Sequence, residues 1–266
     1  MGRIKQKFVE IKENKNGVAL VVYITAGHPN MDITEKLIPA LANAGADIIE
    51  IGMPFSDPTA DGAIIQRSSQ KALSSGTTLA KTLSMIGRIR NITDVPIVLF
   101  GYYNPIFAFG VQRFAKLASQ NGVDGILVVD LPYEEADELR KETDAVGIDF
   151  ISLIAPTTNS KRREKILRNA TGFVYYITLT GITGTNKPVI DDVQKNILEI
   201  RKFSKLPIVA GFGITTTRQV RDIANNADGI VVGSAIVNMI DALDGKAELV
   251  EKVCGFVTKM KKATYR

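Results

Sequence analysis

The residues best suited to chemistry are two carboxylates, Glu50 and Asp61, which flank a loop rich in proline and small polar residues. Glu50 lies in a short apolar run, where strand alternation turns Ile49 and Ile51 to one side and Glu50 to the other. A carboxylate among apolar neighbours is costly unless it is paired or functional, and burial can tune its pKa for general acid–base work. Glu50 could therefore be a general acid and base, or a structural carboxylate that is hydrogen-bonded inside the fold.

The loop after the Glu50 strand, residues 54–62, has the length and the turn-forming composition of a functional loop. Asp57 precedes Pro58 and could be only a turn residue. Asp61 precedes an apolar run that begins at Gly62 and Ala63. It could therefore cap a helix, act as a second catalytic carboxylate, or do both.

The elements that must position these carboxylates are eight short β-branched runs that alternate with helical patterns. The runs are nearly continuous in apolar character, which is typical of parallel strands covered on both faces. Strands are predicted at 18–24, 46–52, 95–101, 125–131, 149–155, 172–178, 206–212 and 228–234, and helices at 33–44, 78–91, 111–121, 134–146, 160–169, 190–203, 216–224 and 247–262. This α/β order predicts a single (β/α)8 TIM barrel domain over residues 1–266, with extra short helices at the N-terminus and after the eighth strand.

An open, doubly wound sheet is the alternative fold. It would usually carry a glycine-rich dinucleotide fingerprint after its first strand, and the sequence Thr25-Ala26-Gly27-His28-Pro29 does not match that pattern. His28 is the only histidine of the chain, and its place beside a proline predicts a surface turn residue.

Composition narrows the class of protein. Of the 266 residues, 45% are hydrophobic and 23% charged, which is ordinary for a globular protein, and the net charge is +5. The single cysteine, Cys254, allows no internal disulfide, so we expect a packed helix residue in a cytoplasmic protein. No apolar run has the length of a membrane helix, and residues 1–13 lack a signal-peptide pattern. The basic cluster at 259–266 is interpreted as a solvated helix end rather than a nucleic-acid site.

Small residues lie at the ends of the seventh and eighth predicted strands, at Gly213 and at Gly233 and Ser234. They would let backbone N–H groups approach an anion, and a helix starting near Ser234 would direct its positive end to the same point. Phosphate sites of barrels commonly lie in these two loops. Glycines that serve only close packing of helices on strands are the alternative.

At the Glu50–Asp61 segment the sequence resembles a known family. IEIGMPFSDPTADG, residues 49–62, closely resembles the signature of the tryptophan synthase alpha subunit. The resemblance implies that Glu50 and Asp61 are the catalytic pair of a carbon–carbon lyase, which cleaves indole-3-glycerol phosphate to indole and glyceraldehyde-3-phosphate in tryptophan biosynthesis. It also implies that phosphate is held by residues Gly184, Gly213, Gly233 and Ser234.

The same resemblance implies a ring-binding pocket and a lid. The residues that it places against the substrate are Tyr23, Phe100, Tyr102, Leu127, Val129, Tyr175, Thr183 and Phe212. Residues 178–188 contain glycines and threonines and resemble the lid after the sixth strand of the family, with a plain surface loop as the alternative. The sequence departs from the common pattern at Thr59 and Leu179, and Tyr23 and Phe100 stand where many members have phenylalanine and leucine. Tyr175 and Tyr176 must point opposite ways, so only one can face the lumen.

The resemblance further implies a partner, a beta subunit that carries pyridoxal phosphate, in an α2β2 assembly. This chain itself is expected to need no cofactor, and its sequence has no metal-ligand spacing. The predicted docking rim consists of residues 55–58, 104–107 and 130–133, where apolar side chains occupy predicted loops.

Two other functions compete with this one. The phosphate cradle alone would suit an isomerase or aldolase that acts on another sugar phosphate. A barrel without activity that serves only as a regulatory partner is the second competitor, and the intact carboxylate pair argues against it.

Overall fold

The computed structural model describes residues 1–13, 17–177, 190–211 and 213–265. Its strands all pair in parallel within one sheet, in the order β5-β4-β3-β2-β1-β9-β8-β7-β6. They are β1 Ala19–Thr25, β2 Ile48–Gly52, β3 Ile97–Gly101, β4 Gly125–Val128, β5 Asp149–Phe150, β6 Ser152–Ile154, β7 Val174–Ile177, β8 Ile208–Gly211 and β9 Gly229–Val232.

The sheet closes on itself at the fifth predicted strand. β5 and β6, which lie at the two ends of the sheet order, are separated in sequence by Ile151 alone. One stretch of chain therefore pairs with β4 through its first half and with β7 through its second half. The predicted (β/α)8 barrel is confirmed, and the predicted sixth, seventh and eighth strands correspond to β7, β8 and β9.

Alternation along each strand divides the core into two layers. In β1, Leu20, Val22 and Ile24 pack toward the helices. Val21 and Tyr23 belong instead to the lumen cluster. Both faces of the strands are covered, which explains why their sequences are almost continuously apolar.

Helices separate the strands at nearly every predicted position. They are α1 Arg3–Glu13, α2 Met31–Asn43, α3 Ala63–Ser74, α4 Leu79–Ile89, α5 Tyr103–Phe109, α6 Val111–Gln120, α7 Asp137–Ala145, α8 Ser160–Arg168, α9 Ile190–Arg201, α10 Thr217–Ala224, α11 Ser234–Ala242 and α12 Leu249–Ala263, with a 3-10 turn at Tyr133–Glu135. The expected extra helices are α1 and α11. Helix α5 was not predicted, because Asn104-Pro105 has the composition of a loop. The first turn of a helix accepts a proline such as Pro105, since the N–H that proline lacks has no partner there.

Helix α1 covers the amino-terminal end of the barrel. Ile4 and Phe8 enter the lumen cluster, and the Phe8 ring lies 6.0 Å from that of Phe173. Because this end is filled, a ligand must enter at the opposite end, where the carboxyl ends of the strands and their exit loops lie.

Helix α12 packs against the barrel and corrects one prediction. Cys254 is half-buried against the outer core, as expected. The basic cluster at 259–266 was predicted to be a solvated helix end, but Lys261 does not fit that prediction. Its Nζ lies 2.6 Å from Oδ2 of Asp47, and both side chains are mostly buried. Within the described ranges, no helix combines the length and the apolar character that a membrane crossing requires.

Candidate active site

Glu50 lies in the middle of β2, between Tyr23 of β1 and Val98 of β3 in the strand register. It is completely buried, and neither of its carboxyl oxygens has a hydrogen-bond partner among the residues that the structure describes. Burial raises its pKa to about 8. A structural carboxylate would be paired, so this environment favours an acid that keeps its proton near neutral pH.

Two tyrosines flank Glu50 in the lumen. Tyr23 and Tyr175 are buried in the lumen cluster, and burial raises the pKa of both phenols. A Cβ atom at Gly52 would collide with the Tyr23 hydroxyl, and one at Gly211 would collide with the Tyr175 hydroxyl, so both glycines are needed for space. Tyr176 packs in the outer layer instead, which confirms that only one of the paired tyrosines faces the lumen.

Asp61 lies at the mouth of the barrel, at the end of the loop that follows β2. It is half-buried, and burial raises its pKa to about 6 even though a hydrogen bond with Tyr102 lowers it. The Tyr102 hydroxyl also accepts the N–H of Ala60 at 3.0 Å, and its ring lies 5.3 Å from that of Phe55. Tyr102 thus holds the end of the loop that carries the second carboxylate.

The structure separates the alternatives for the two aspartates. The N-cap of α3 is Gly62 and has no side-chain hydrogen bond, so the capping interpretation of Asp61 is wrong. Asp57 is exposed, accepts the Ser56 hydroxyl at 2.8 Å, and its carbonyl accepts the N–H of Thr59 at 2.9 Å. That is the behaviour of a turn residue.

The structure brings together the predicted pocket residues that it describes. Members of the lumen cluster or packed against it are Tyr23, Phe100, Leu127, Val129 and Tyr175. Phe100 meets Tyr23 edge to face, with ring centroids 5.3 Å apart. Thr183, Gly184 and Phe212 lie outside the described residues, as does the lid predicted at 178–188.

Sequence reasoning missed other side chains in the same pocket. Ile64, Leu153 and Ile177 also pack against the lumen cluster. The signal for Leu153 was its alternation with Ser152 and Ile154 in the fifth predicted strand. Ile64 had no such signal, because α3 presents it to the lumen from the mouth.

The predicted phosphate cradle lies beyond β8 and β9. Gly213 has a φ of +67°, a left-handed conformation that favours glycine. Gly233 precedes α11, and a Cβ atom there would lie 3.2 Å from Cβ of Tyr23. Ser234 begins α11, and the first N–H groups of a helix have no acceptor within it. These positions are compatible with the predicted anion site, which stays a prediction.

Comparison with known proteins identifies the family. The family model described as Tryptophan synthase alpha chain matches residues 8–265. A tryptophan synthase alpha chain from Geobacter sp. (strain M21) is 49% identical over 266 residues, which cover 100% of this chain and 99% of the relative. This chain belongs to the tryptophan synthase alpha chain family. It is accordingly an enzyme of the lyase type.

Solved structures agree with this assignment to the tryptophan synthase alpha chain family. The crystal structure of tryptophan synthase subunit alpha from Legionella pneumophila str. Paris is similar with a TM-score of 0.91 and 35% identity, covering 99% of this chain and 98% of that one. An aminoacrylate-bound tryptophan synthase from M. tuberculosis is similar with a TM-score of 0.88 and 27% identity, covering 99% of this chain and 100% of that one. The TIM-barrel fold is thus shared with members of the family.

The predicted docking rim carries apolar side chains at Phe55, Phe107 and Pro132. One residue predicted for it, Ile106, does not lie on the surface. Phe107 is 58% exposed and Pro132 is exposed, while Phe55 is half-buried. Ile106 was expected on this rim but is completely buried, because residues 104–107 belong to α5, which turns Ile106 into the outer core.

The surface-turn prediction for His28 is wrong. Its side chain is buried, and its Nε2 lies 3.3 Å from Oδ1 of Asp241. The turn folds inward because Gly27, with a φ of +76°, brings the chain against Thr77, where a Cβ atom could not fit.

Proposed function

We propose that this chain is the indole-3-glycerol-phosphate lyase of a tryptophan synthase, which releases indole and glyceraldehyde-3-phosphate by a retro-aldol reaction. Membership of the family supports this reaction. The observation that carries the residue roles is Glu50, fully buried in the lumen and without a hydrogen-bond partner among the described residues, in the strand that leads into the Asp61 loop. The individual roles below are part of the proposal.

Glu50 is proposed to serve both proton transfers. Cleavage requires a proton on the ring carbon that carries the glycerol chain, because only the protonated ring can accept the electrons of the breaking bond. With a pKa of about 8, Glu50 is protonated at neutral pH and can supply that proton. The resulting carboxylate then takes the proton of the side-chain hydroxyl as the carbonyl forms and the carbon–carbon bond breaks. Glu50 ends the cycle in its starting state.

Asp61 is proposed to stabilise the positive charge that develops on the ring. With a pKa of about 6 it is mostly ionised at neutral pH, and it can accept a hydrogen bond from the ring N–H. Tyr102 assists by holding Ala60 and by hydrogen bonding to Asp61. The two carboxyl groups therefore have opposite protonation states at the same pH, as their two tasks require.

The phosphate of the substrate is proposed to bind at Gly213, Gly233 and Ser234, with Gly184 as a further member by resemblance. The start of α11 and the left-handed turn at Gly213 support this placement. Anchoring the glycerol end there would orient the bond to be cleaved between Glu50 and Asp61.

We propose no cofactor for this chain, since proton transfers suffice for the reaction. Among the residues that the structure describes, no group of three or more histidine, cysteine, aspartate or glutamate side chains could hold a metal ion. Pyridoxal phosphate is assigned to a beta subunit, the proposed partner in an α2β2 assembly in the cytoplasm. The exposed Phe107 and Pro132 at the mouth support docking there, because the product would pass directly between the subunits.

The experiment is an indole-release assay on the purified chain, alone and with its cognate beta subunit. Indole and glyceraldehyde-3-phosphate are expected in equal amounts, faster when the partner is present. Release of a triose phosphate from other sugar phosphates, with no indole from indole-3-glycerol phosphate, would favour the aldolase alternative. A folded chain with no activity in either state would favour a purely regulatory barrel.

A further inference from the structure

A polar cluster built on the buried His28 and the partly exposed Lys71 and Asp241 joins three elements of the barrel. Oδ1 of Asp241, in the last turn of α11, lies 3.3 Å from Nε2 of His28 and 2.5 Å from Nζ of Lys71. His28 follows β1, and Lys71 is on α3. We call His28, Lys71 and Asp241 the α11 anchor.

The α11 anchor connects the two helices that would carry opposite ends of the substrate site. Helix α11 starts at Ser234, in the proposed phosphate cradle. Helix α3 starts directly after the Asp61 loop. The relative position of these two helices therefore sets the position of the phosphate with respect to Asp61.

Helix α3 is itself fixed to the barrel one turn before Lys71. The Ser68 hydroxyl is hydrogen-bonded to the Thr25 hydroxyl at 2.7 Å, and this contact is buried. Since α3 is held to β1 in this way, the ion pair of Lys71 with Asp241 attaches α11 to a helix that is itself fixed to the barrel.

The charges of the cluster are unfavourable without this attachment. Asp241 lies at the C-terminal end of α11 and Asp244 just beyond it, where the helix dipole disfavours negative charge. Lys71 offsets both carboxylates, at 2.5 Å from Asp241 and 3.7 Å from Asp244. His28 can only donate to Asp241, and its other ring nitrogen has no partner among the described residues. The contacts with Lys71 and His28 therefore favour the charged form of Asp241 and lower its pKa, which makes this attachment of α11 a favourable one.

We propose that the α11 anchor is a positioning device that holds the amino-terminal end of α11 at the correct distance and angle from Asp61. This inference rests on the proposed function. Its residues touch no substrate, so loss of the anchor should weaken phosphate binding more than it slows the chemical step.

The test compares Asp241→Leu with Asp241→Asn. Asparagine keeps the Oδ1 acceptor for His28 and Lys71, whereas leucine removes it. We expect Asp241→Leu to raise the KM for indole-3-glycerol phosphate and the Kd for glycerol phosphate on the order of tenfold, with kcat changed about twofold. Asp241→Asn should stay within about threefold of the wild type in each constant.

The direction in which the Kd for glycerol phosphate changes distinguishes a positioning role of Asp241 from a purely electrostatic one. Removal of a carboxylate near an anion site should by itself strengthen anion binding, whereas loss of the anchor should weaken it. Glu35→Leu is the matched control, because it removes the pair of Arg88–Glu35 hydrogen bonds, at 2.9 and 2.6 Å, that joins α4 to α2. It should leave the Kd for glycerol phosphate unchanged.

Calorimetry with glycerol phosphate keeps the two proposals distinguishable. If the wild type binds glycerol phosphate and Asp241→Leu weakens binding, the anchor is supported even if no indole is formed. If the wild type forms indole but Asp241→Leu binds glycerol phosphate as tightly as the wild type or Glu35→Leu, the anchor is refuted. A wild type that does not bind glycerol phosphate would also refute it.

A second variant covers the case in which Asp241→Leu fails to fold. The Lys71 side chain is half exposed, so Lys71→Met should fold. We expect it to raise the Kd for glycerol phosphate severalfold, and an unchanged Kd would refute the anchor.

Discussion

The acids at the two ends of this barrel have opposite surroundings. At the amino-terminal end, three aspartates each stand directly before a strand: Asp47, Asp124 and Asp228. Each accepts a backbone N–H from the neighbouring strand. The donors are, in the same order, Leu20 at 2.7 Å, Ile97 at 2.8 Å and Ile208 at 2.8 Å. Each also has a cationic partner, respectively Lys261, Arg90 and Arg201. At the other end, Glu50 and Asp61 form no ion pair within the described part of the chain.

The difference separates stability from chemistry on one scaffold. The paired carboxylates join neighbouring strands through their backbone hydrogen bonds and ion pairs. The carboxylates in the apolar lumen and at its mouth, which form no ion pair with any described residue, have raised pKa values, which makes proton transfer near neutral pH possible. The same residue types thus serve different purposes according to the end of the barrel at which they lie.

The largest effect is expected for Glu50→Gln. The amide cannot exchange protons with the ring or the hydroxyl, so kcat should fall on the order of 10⁴-fold, the upper range for general acid–base catalysis. The measurement is indole formation under saturating substrate, with glycerol phosphate binding retained as the control. Turnover within tenfold of the wild type would remove Glu50 from the mechanism.

Glu50→Gln should also be more stable than the wild type at alkaline pH. The pKa of Glu50 is about 8 in the folded protein and near 4.5 when unfolded, so the folded state binds more protons between these values. The contribution of Glu50 to the free energy of unfolding is therefore fully present below pH 4.5 and is lost as the pH rises toward 8. Between these two pH values the free energy of unfolding falls by about 1.4 kcal/mol per pH unit. Glutamine does not titrate, so urea unfolding should show a growing advantage of the variant.

Asp124→Ala should have the opposite effect to Glu50→Gln: it should lower stability and leave turnover nearly unchanged, because it removes a paired acid at the amino-terminal end. Arg90 would lose its buried partner and Ile97 its acceptor, so the free energy of unfolding should fall by about 2–4 kcal/mol. The folded variant should keep kcat within about twofold. Glu134→Ala is the control, since its pair with Arg162 is exposed. Equal stability losses in the two variants would break the comparison.

Asp61→Asn is expected to lower kcat about a hundredfold, the scale for loss of one transition-state electrostatic partner. Its stability should stay close to that of the wild type, because Asp61 does not cap α3. Measuring kcat and thermal unfolding together decides between the two roles: a stability defect with normal turnover would make Asp61 a structural residue.

The smallest effect is expected for Tyr102→Phe. The Ala60 N–H loses its acceptor and Asp61 loses the hydrogen bond that lowers its pKa. We expect kcat to fall about three- to tenfold, and the acid limb of the pH profile, set by Asp61 near pH 6, to move to higher pH. Tyr103→Phe, which removes a hydroxyl bound to Glu138, should leave that limb in place. An acid limb that does not move would show that Tyr102 does not act on Asp61.

Periodicity in the sequence was enough to predict the barrel and the lumen position of Glu50. Strand alternation depends only on near neighbours, so Ile49, Glu50 and Ile51 were assigned to the correct faces. The interruption of the fifth strand at Ile151 was not predicted. It arises where the barrel closes, which is a property of the whole sheet.

Contacts between distant residues were beyond such reasoning. His28 is buried in a turn packed against Thr77 and contacts Asp241, 213 positions away, and Ile106 is buried because its segment is a helix. The role of Tyr102 depends on Ala60, 42 positions away. A pattern within one segment carries no information on such pairs, although the family resemblance placed Tyr102 near the substrate.

The most direct test of the account is a titration of Glu50 itself. Carboxyl carbon NMR on protein labelled at glutamate, compared with Glu50→Gln to assign the resonance, gives its pKa in the folded chain. The account predicts one glutamate that titrates near pH 8 and is missing from the variant, with the alkaline limb of kcat/KM at the same pH. A Glu50 that titrates near 4.5 would contradict the claim that the lumen keeps this acid protonated for catalysis.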